Sequence, residues 1–180
     1  MANSENEKIL RKMADAFKEL ASTVNSQAAD MEVAPFSRAC SFVSPLFGCL
    51  GIAFKFAEMD YVAKVGDLAE ASKSIATLKV MLDRDIEGNC VRKAGSHTRN
   101  LLRVKRGLDM VRVLFEQILA TEKAVAAGMY ALPTKAQLMK KLNEDEASAR
   151  IQMQHYVAAS SSVILFIDKL FLSRELGIDW

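Results

Sequence analysis

Hydrophobic residues recur at helical spacing along nearly the whole chain. Near the N-terminus a capping box, Ser4 with Glu7, precedes an apolar stripe and predicts a first helix that ends near Asn25. The stripe consists of Ile9, Leu10, Met13, Phe17, Leu20 and Val24. The next residues, 26–35, are predicted to form a loop that closes on Pro35.

The middle of the chain predicts two helical regions with a weak point between them. The first covers residues 36–65, with a kink or restart at Pro45, because proline cannot donate an intrahelical hydrogen bond. Gly66 and Asp67 are expected to loosen this region, and residues 68–86 are expected to form the next helix.

Three further helices are predicted in the C-terminal half. The strongest covers about 98–122 and follows a cap at Ser96 or Thr98. Two more begin at Pro133 and Asn143, and the last of them reaches Leu176.

The composition supports one all-α domain that spans residues 1–180. A length of 180 residues is typical of one domain, and 51% hydrophobic with 26% charged residues is typical of an ordered globular chain. With only 3 Pro and 8 Gly, the chain lacks the turn residues that a many-stranded β-sandwich requires. No internal repeat or interdomain linker is present.

The sequence disfavours an enzyme, and it predicts neither a metal nor a cofactor. The 3 Cys include no Cys-x-x-Cys pair, and the 2 His have no zinc-binding spacing, so reduced thiols in a cytoplasmic protein are expected. No glycine-rich phosphate loop or nucleophile triad is recognisable. The polar start of the chain has no secretory signal, and the apolar residues 39–54 are too few to cross a bilayer.

Positive charge is concentrated in one stretch of the chain. Between Arg92 and Arg112 lie seven basic residues and one acid, so this stretch carries +6 whereas the whole chain carries +2. The basic residues are Arg92, Lys93, Arg99, Arg103, Lys105, Arg106 and Arg112. Such a concentration predicts an anionic partner.

The predicted helix 98–122 has a second face that changes from basic to apolar. Its core stripe is formed by Leu101, Val104, Leu108, Val111, Phe115 and Ile118. The opposite face begins with three cations and continues with three apolar residues: Arg99, Arg103, Arg106, Met110, Val113 and Leu114. A surface helix does not need this second apolar strip, but a wall that meets an amphiphile with an anionic head does.

The region 36–65 shows a similar change of polarity. Asp60 and Lys64 lie one helical turn apart, at the end of an apolar stripe. Towards the N-terminus the stripe continues with Ala57, Phe56, Ala53, Cys49, Leu46 and Phe42. Each feature alone has a simpler interpretation: an exposed ion pair, a solvated or nucleic-acid-binding basic face, and ordinary core.

Two motifs resemble those of the glycolipid transfer protein family. They are Asp60-x-x-x-Lys64 and the run Arg99-Asn100-Leu101-Leu102-Arg103-Val104-Lys105-Arg106-Gly107-Leu108. The likeness extends from near the N-terminus to the closing residues 176–180. The resemblance implies a two-layer, all-helical sandwich that holds one sphingolipid, with the lipid chains between the layers and the headgroup in a surface pocket.

At two positions the chain resembles the branch of this family whose ligand is ceramide-1-phosphate. Members that bind sugar headgroups carry Trp where this chain has Arg103 and Asn where it has Lys64. On this resemblance Asp60 accepts a hydrogen bond from the ceramide amide, and Arg99 joins Lys64 and Arg103 in holding the phosphate, with Arg106 assisting.

The resemblance also implies where the lipid chains and the membrane make contact. The chain pocket is expected to include Phe42, Leu46, Phe56, Met110, Val113 and Leu114. The implied protein is cytoplasmic, touches membranes transiently where the headgroup patch lies, and regulates sphingolipid balance and plant cell death. A nucleic-acid partner is not expected, because Phe115 is the only aromatic residue among residues 92–118.

The chain lacks one segment of the family. The family carries a His shortly before a Trp downstream of the basic helix, and that His completes recognition of the ceramide amide. Here the chain runs from Glu122 straight into residues 123–130, and neither His97 nor His155 takes that place. A helical scaffold or signalling adaptor that kept the fold but lost lipid binding is therefore the second hypothesis, and a nucleic-acid binder is the third.

Overall fold

A computed structural model describes residues 8–25, 29–120 and 135–180 of the chain. These ranges contain eight α-helices, and between α3 and α4 a short 3₁₀ helix at Ile52–Phe54. The α-helices are α1 (Ile9–Thr23), α2 (Val33–Ser41), α3 (Ser44–Cys49), α4 (Lys55–Ala71), α5 (Leu78–Glu87), α6 (His97–Ala120), α7 (Lys135–Leu142) and α8 (Glu146–Ser173). The described part has no β-strand beyond one isolated bridge, so the predicted all-α class is confirmed.

Five helices enclose the core. Around the core, α1 packs on α8, α8 on α6, α6 on α4, α4 on α2, and α2 returns to α1. Tyr156 of α8 lies at the centre, where its ring meets Phe17 and Phe115 edge to face at 5.2 and 5.4 Å between centroids. Its hydroxyl donates a hydrogen bond of 3.0 Å to the carbonyl of Leu108, so the buried polar atom is satisfied.

Helix α8 packs against both α1 and α6. Nine of its residues belong to the hydrophobic core, among them Met153, Tyr156 and Phe171. By length and composition alone this helix could also cross a membrane, a test that core helices of soluble proteins pass as well. Its close packing against α1 and α6 accounts for its apolar character.

Among the predicted polar caps that lie in the described residues, the one at the start of α6 is confirmed and the one at Asn143 is wrong. Ser96 caps α6, because its hydroxyl accepts a hydrogen bond of 3.0 Å from the N–H of Arg99. Thr98 is buried instead, and its N–H and hydroxyl both donate to Asp85 of α5, at 2.8 and 2.6 Å. The start of α8 differs from the prediction, since Asp145 caps it and Asn143 has a left-handed backbone with φ of 54°.

The loop predicted at 26–35 is shorter in the described residues. Helix α2 begins at Val33, so Pro35 lies inside its first turn, where the missing N–H of proline costs no intrahelical bond. The backbone next to α2 bonds the residues before α5, with Val33 N–H donating to Ala76 at 2.9 Å. Predicted features that involve Ser4, Glu7 and Pro133 lie outside the described residues.

Two linked predictions are wrong, the weak point at Gly66 and the single helix over residues 68–86, since α4 ends at Ala71 and α5 begins at Leu78. Helix α4 passes through Gly66 without a break, because Tyr61, Val65 and Leu68 anchor it in the core, whereas an interior glycine costs only about 1 kcal/mol. The chain turns at Gly51 instead, whose φ of 104° favours a residue without a side chain. The restart predicted at Pro45 is confirmed, since this residue lies in the first turn of α3.

The turn at Gly51 also overturns the predicted apolar stripe. Phe42 and Leu46 lie before the turn, so they cannot continue the face of α4 that carries Asp60. Leu46 is fully buried in the core, whereas Phe56 in the first turn of α4 is 84% exposed. A single helical face from residue 42 to residue 64 therefore does not exist.

All three cysteines are free, and burial predicts their reactivity. Burial raises the pKa of Cys40 and of Cys49, and Cys90 also has a raised pKa because of desolvation and nearby Asp85. A raised pKa leaves less thiolate at pH 8, so alkylation of the folded protein should be slow and should start at half-buried Cys90. Peptide mapping by mass spectrometry after timed iodoacetamide treatment, native and in urea, checks this order. Equal labelling of Cys40 and Cys90 in the native protein would contradict it.

Candidate functional site

A cleft of about 400 Å³ lies between α4, the connection before α6, and the start of α6. It is lined by Asp60, Lys64, Ala94, Gly95, Arg99, Asn100 and Arg103. The structure thus brings together four of the five residues that were expected to contact a headgroup. Helix α4 supplies the acid and the lysine, and α6 supplies both arginines.

The close approach of α4 and α6 makes this cleft possible. Gly107 of α6 lies against Tyr61 of α4 so closely that a Cβ atom at position 107 would stand 2.9 Å from the tyrosine ring. Tyr61 is held in turn by Phe47, at 5.0 Å between ring centroids, and by a 2.8 Å hydrogen bond from its hydroxyl to the carbonyl of Cys40. The glycine therefore sets the spacing of the two helices that carry the charged residues.

Arg99 and Arg103 are the two arginines that face the cleft. Both are half-buried, and neither guanidinium has a hydrogen bond or ion pair with another described residue. A half-buried cation without a protein partner lies where an anionic ligand can complete its hydrogen bonds.

Two other basic residues of the same stretch, Lys105 and Arg112, have charged partners within the fold. Lys105 is buried and bonds Asp168 of α8 at 2.9 Å, and Arg112 pairs with Asp109 and Glu116 at 2.8 Å each. Lys105 therefore connects α6 with α8, and the ion pairs of Arg112 stabilise the surface of α6. The concentration of charge seen in the sequence therefore divides into ligand-facing and structural residues.

The C-terminal segment occupies two further arginines. Arg106 donates a 3.0 Å hydrogen bond to the carbonyl of Ile178 and is not among the residues that line the cleft. Arg92 donates to the carbonyl of Leu176 at 3.3 Å and lies 4.7 Å from the centre of the Trp180 ring. The structure places Arg106 beside the last residues of the chain, not with Lys64, Arg99 and Arg103.

Asp60 and Lys64 form an ion pair across one turn of α4. The side chain of Asp60 is 64% exposed, whereas that of Lys64 is 23% exposed. An exposed pair of this kind contributes well under 1 kcal/mol to stability. Its place at the mouth of the cleft, not its effect on stability, connects it with a ligand.

Three residues behind or within the cleft were missed from the sequence. Asn100 lines the cleft, and its amide Nδ2 donates a 2.9 Å hydrogen bond to Asp67 Oδ2. His97 Nδ1 lies 2.8 Å from the same oxygen. Asn100 directly follows Arg99 in the sequence, and this position could have indicated that it belongs to the cleft. Asp67 lies 33 residues from Asn100, and only the fold brings the two side chains together.

The six residues expected to contact lipid chains do not share one surface. Leu46 and Leu114 belong to the core, and Phe42 is half-buried near α1. Met110 and Val113 are 37% and 38% exposed on α6. The apolar half of the second α6 face is therefore partly accessible, whereas its last member is buried.

A second apolar surface lies next to the cleft. Ile52, Phe56 and Met59 are 91%, 84% and 58% exposed, in the 3₁₀ helix and the first turn and a half of α4. Met59 directly precedes Asp60 in the chain. Ile52, Phe56 and Met59 are called the α4 apolar patch below.

The polar groups that line the cleft are ammonium, guanidinium, carboxylate and amide groups, which do not form a metal-binding set. In residues 8–25, 29–120 and 135–180, no group of three His, Cys, Asp or Glu side chains is placed to hold a metal ion.

Comparison with known proteins identifies the family of the chain. The family model for glycolipid transfer protein matches residues 31–124, a range that includes Asp60, Lys64, Arg99 and Arg103. Accelerated cell death 11 of Arabidopsis thaliana is 60% identical over 206 aligned positions that cover all of both chains. An Arabidopsis protein described as its homolog is 43% identical, with 92% of this chain and 86% of that protein covered.

The length of the alignment also shows a difference between the two proteins. Its 206 positions exceed the 180 residues of this chain by 26, so at least 26 positions of the Arabidopsis protein have no counterpart here. The absence of a family segment directly after Glu122 stays a prediction.

Solved structures show the same fold. An aspartate-to-asparagine variant of Arabidopsis accelerated cell death 11 in complex with C12 ceramide-1-phosphate superposes with a TM-score of 0.92, at 58% identity, over 97% of this chain and 99% of that one. Human ceramide-1-phosphate transfer protein, at 14% identity, reaches 0.75 over 94% and 97% and supports the fold alone. These findings confirm the predicted helical sandwich, and the chain belongs to the glycolipid transfer protein family.

Proposed function

We propose that the protein binds a sphingolipid with a phosphate headgroup, ceramide-1-phosphate, and carries it between membranes without covalent chemistry. The observation that supports this most directly is the pair of unpartnered guanidinium groups of Arg99 and Arg103 beside Lys64 in one cleft. The complex of the Arabidopsis relative with ceramide-1-phosphate supports the same ligand. The name of that relative, accelerated cell death 11, also supports the proposed role in plant cell death, and binding of ceramide-1-phosphate would connect this role with sphingolipid balance.

The charges of the cleft suit a phosphate monoester. A phosphate monoester carries about −1.5 to −2 charges at pH 7. Lys64, Arg99 and Arg103 supply three positive charges, and arginine offers a planar pair of donors that matches phosphate oxygens. Asp60 is the acceptor in the same cleft and suits the amide N–H of ceramide. A neutral sugar would leave the guanidinium groups of Arg99 and Arg103 without a counter-charge.

The energetics favour transfer with selection by the headgroup. Each buried CH₂ group is worth about 0.8 kcal/mol, but the bilayer offers the same gain, so burial of the lipid chains nearly cancels between membrane and protein. The difference that remains comes from the headgroup contacts. A cleft with three cations therefore decides which lipid leaves the membrane.

The proposed place of membrane contact is the α4 apolar patch. Its three exposed side chains lie within eight residues of Asp60, so a membrane that they touch lies next to the headgroup cleft. Three apolar side chains give a weak attachment, which suits a cytoplasmic protein that binds membranes peripherally and transiently.

Replacing Phe56 with aspartate should weaken vesicle binding about tenfold, because burial of a phenylalanine side chain is worth about 1.5–3 kcal/mol. Leu172→Asp is the matched control, since Leu172 is 55% exposed but lies on α8. Sedimentation with phosphatidylcholine vesicles that contain ceramide-1-phosphate measures the bound fraction. Equal losses for both variants would mean that the contact is not specific to the α4 apolar patch.

Transfer of fluorescent ceramide-1-phosphate between vesicles tests the function itself. The expected result is transfer of the phosphate lipid and little transfer of a galactosylceramide probe. Transfer of neither lipid by a folded, helical protein would overturn the proposal.

The unmatched alignment positions favour a second candidate, a helical scaffold or signalling adaptor of the same fold. The double substitution Asp60→Ala with Arg103→Ala separates the two functions. If the protein acts by lipid transfer, the double variant loses lipid binding and the biological role together. If it acts as a scaffold, the variant keeps its role, because the two substituted side chains lie in the cleft.

A further inference from the structure

Asp67 connects the two helices that form the cleft from behind. It lies on α4, one turn beyond Lys64, and is not among the residues that line the cleft. Its Oδ2 atom accepts a 2.9 Å hydrogen bond from Asn100 Nδ2 and lies 2.8 Å from His97 Nδ1. The side chains of Asp67 and His97 are 31% and 34% exposed, so water screens this pair only in part.

The contact with Asp67 fixes how Asn100 presents its amide. A carboxylate can only accept, so the nitrogen of the amide must face Asp67 and one of its two N–H groups is used there. The second N–H has no partner among the described residues, and Asn100 lines the cleft between Arg99 and Arg103. An amide whose orientation is fixed in this way keeps one donor for a ligand.

Asn100 also separates two negative charges. Asp67 would repel a phosphate group if its carboxylate faced the cleft. Asn100 covers it from the cleft side, and His97 covers it from the start of α6. The asparagine thus adds a donor beside three cations without adding charge.

We propose that Asn100 is a further headgroup-binding residue that donates its second amide N–H to the phosphate, and that Asp67 is the residue that positions it. This inference rests on the proposed function and adds a specificity determinant to the same cleft. The rival explanation is that the three side chains only hold α4 to α6.

Two alanine variants form a matched pair that separates these explanations. Asn100→Ala and His97→Ala each remove one contact with Asp67 Oδ2, but only Asn100 lines the cleft. We expect Asn100→Ala to lower transfer of fluorescent ceramide-1-phosphate about tenfold, as loss of one hydrogen bond to a charged group does, and His97→Ala to lower it less than threefold. Thermal unfolding should show similar losses of stability for both. Parallel losses of transfer in the two variants would overturn the inference.

An exchange of the two side chains gives a second test. In the double variant Asp67→Asn with Asn100→Asp, the amide nitrogen on α4 can take the place of Asp67 Oδ2. It can donate one N–H to His97 Nδ1, in the tautomer that accepts there, and the other to the new carboxylate, so both contacts are kept while the negative charge moves into the cleft. We expect the melting temperature to stay within about 3 °C of the parent, while transfer of ceramide-1-phosphate falls at least tenfold.

The two failures remain distinguishable. If the exchanged variant transferred ceramide-1-phosphate as well as the parent protein, the three side chains would only hold the helices together. That result would overturn the inference while the proposed function stands. Absence of transfer by the parent protein would overturn the proposed function and the inference with it.

Discussion

Transfer of ceramide-1-phosphate should fall by about 10- to 100-fold when Arg103 is replaced with alanine. The substitution removes a charged, two-pronged donor, and hydrogen bonds to charged groups are worth about 1.5–3 kcal/mol. Stability should change by less than about 0.5 kcal/mol, because Arg103 is half-buried and leaves no described residue without a hydrogen-bond partner. Vesicle transfer rates and urea unfolding measure the two effects independently.

A matched control lies on the same helix. Arg112 is bonded to Asp109 and Glu116 at the surface of α6, outside the cleft. Arg112→Ala should cost at most about 1 kcal/mol of stability and leave transfer close to that of the parent. If both variants transferred equally well, the phosphate would not be bound by the arginines of the cleft.

Arg106→Ala distinguishes the structural from the sequence-based placement of that residue. A headgroup role predicts a loss of transfer similar to that of Arg103→Ala. The contact with Ile178 predicts a loosened C-terminal segment and a small loss of transfer. A spin label or fluorophore near the C-terminus reports the first effect, and the vesicle assay reports the second.

Helix α6 could be predicted well because one apolar period runs through it. Its buried residues, such as Leu101, Leu108 and Phe115, keep that period over six turns, and the two candidate caps, Ser96 and Thr98, placed its start within two residues. The boundaries around α4 could not be predicted in this way. The sequence shows the cost of Gly66 but not the core contacts that outweigh it, nor the positive φ of Gly51.

In the candidate site, too, some residues could be grouped from the sequence and others could not. Asp60 and Lys64 lie one turn apart, and so do Arg99 and Arg103, so helical spacing and the family resemblance suffice to group each pair. The partner of Arg106 lies 72 residues away in sequence, and that of Asn100 lies 33 residues away. Contacts of this kind follow from how helices pack, and periodicity carries no information about them.

For the apolar residues, the sequence pattern grouped side chains that the fold separates. Periodicity assigned Phe56 and Leu46 to one face, and the turn at Gly51 separated them into a solvent-exposed and a fully buried residue. The sequence therefore predicted that apolar residues adjoin the headgroup residues but not which of them remain accessible.

Replacing Gly107 with valine should destabilise the protein by about 3 kcal/mol and lower transfer as well. Even the first added carbon would stand 2.9 Å from one ring atom of Tyr61 and 3.0 Å from another. Tyr61 cannot move away cheaply, because it is 4% exposed, packs on Phe47 and bonds the carbonyl of Cys40. Overpacking of a rigid contact typically costs about 1–3 kcal/mol, and valine is also a poorer helix former than alanine.

The strain would reach the cleft because the contact sets the distance between α4 and α6. Asp60 is adjacent to Tyr61 in the chain, and Arg103 lies one turn before Gly107. Relief of the clash by separation of the helices would therefore widen the cleft and weaken its simultaneous contacts with one phosphate. The glycine of the Lys105-Arg106-Gly107-Leu108 motif then has a physical role, which is to keep the two halves of the site at binding distance.

Gly66→Ala provides the control for this prediction. Gly66 also lies inside a helix, but a Cβ atom there meets nothing within 4 Å. Alanine at position 66 should leave stability unchanged or raise it by about 0.5–1 kcal/mol, since it favours the helix without a clash. Urea unfolding of both variants, with transfer measured on each, decides the point. A Gly107→Val protein as stable as the parent would show that Tyr61 does not fix the spacing of the helices.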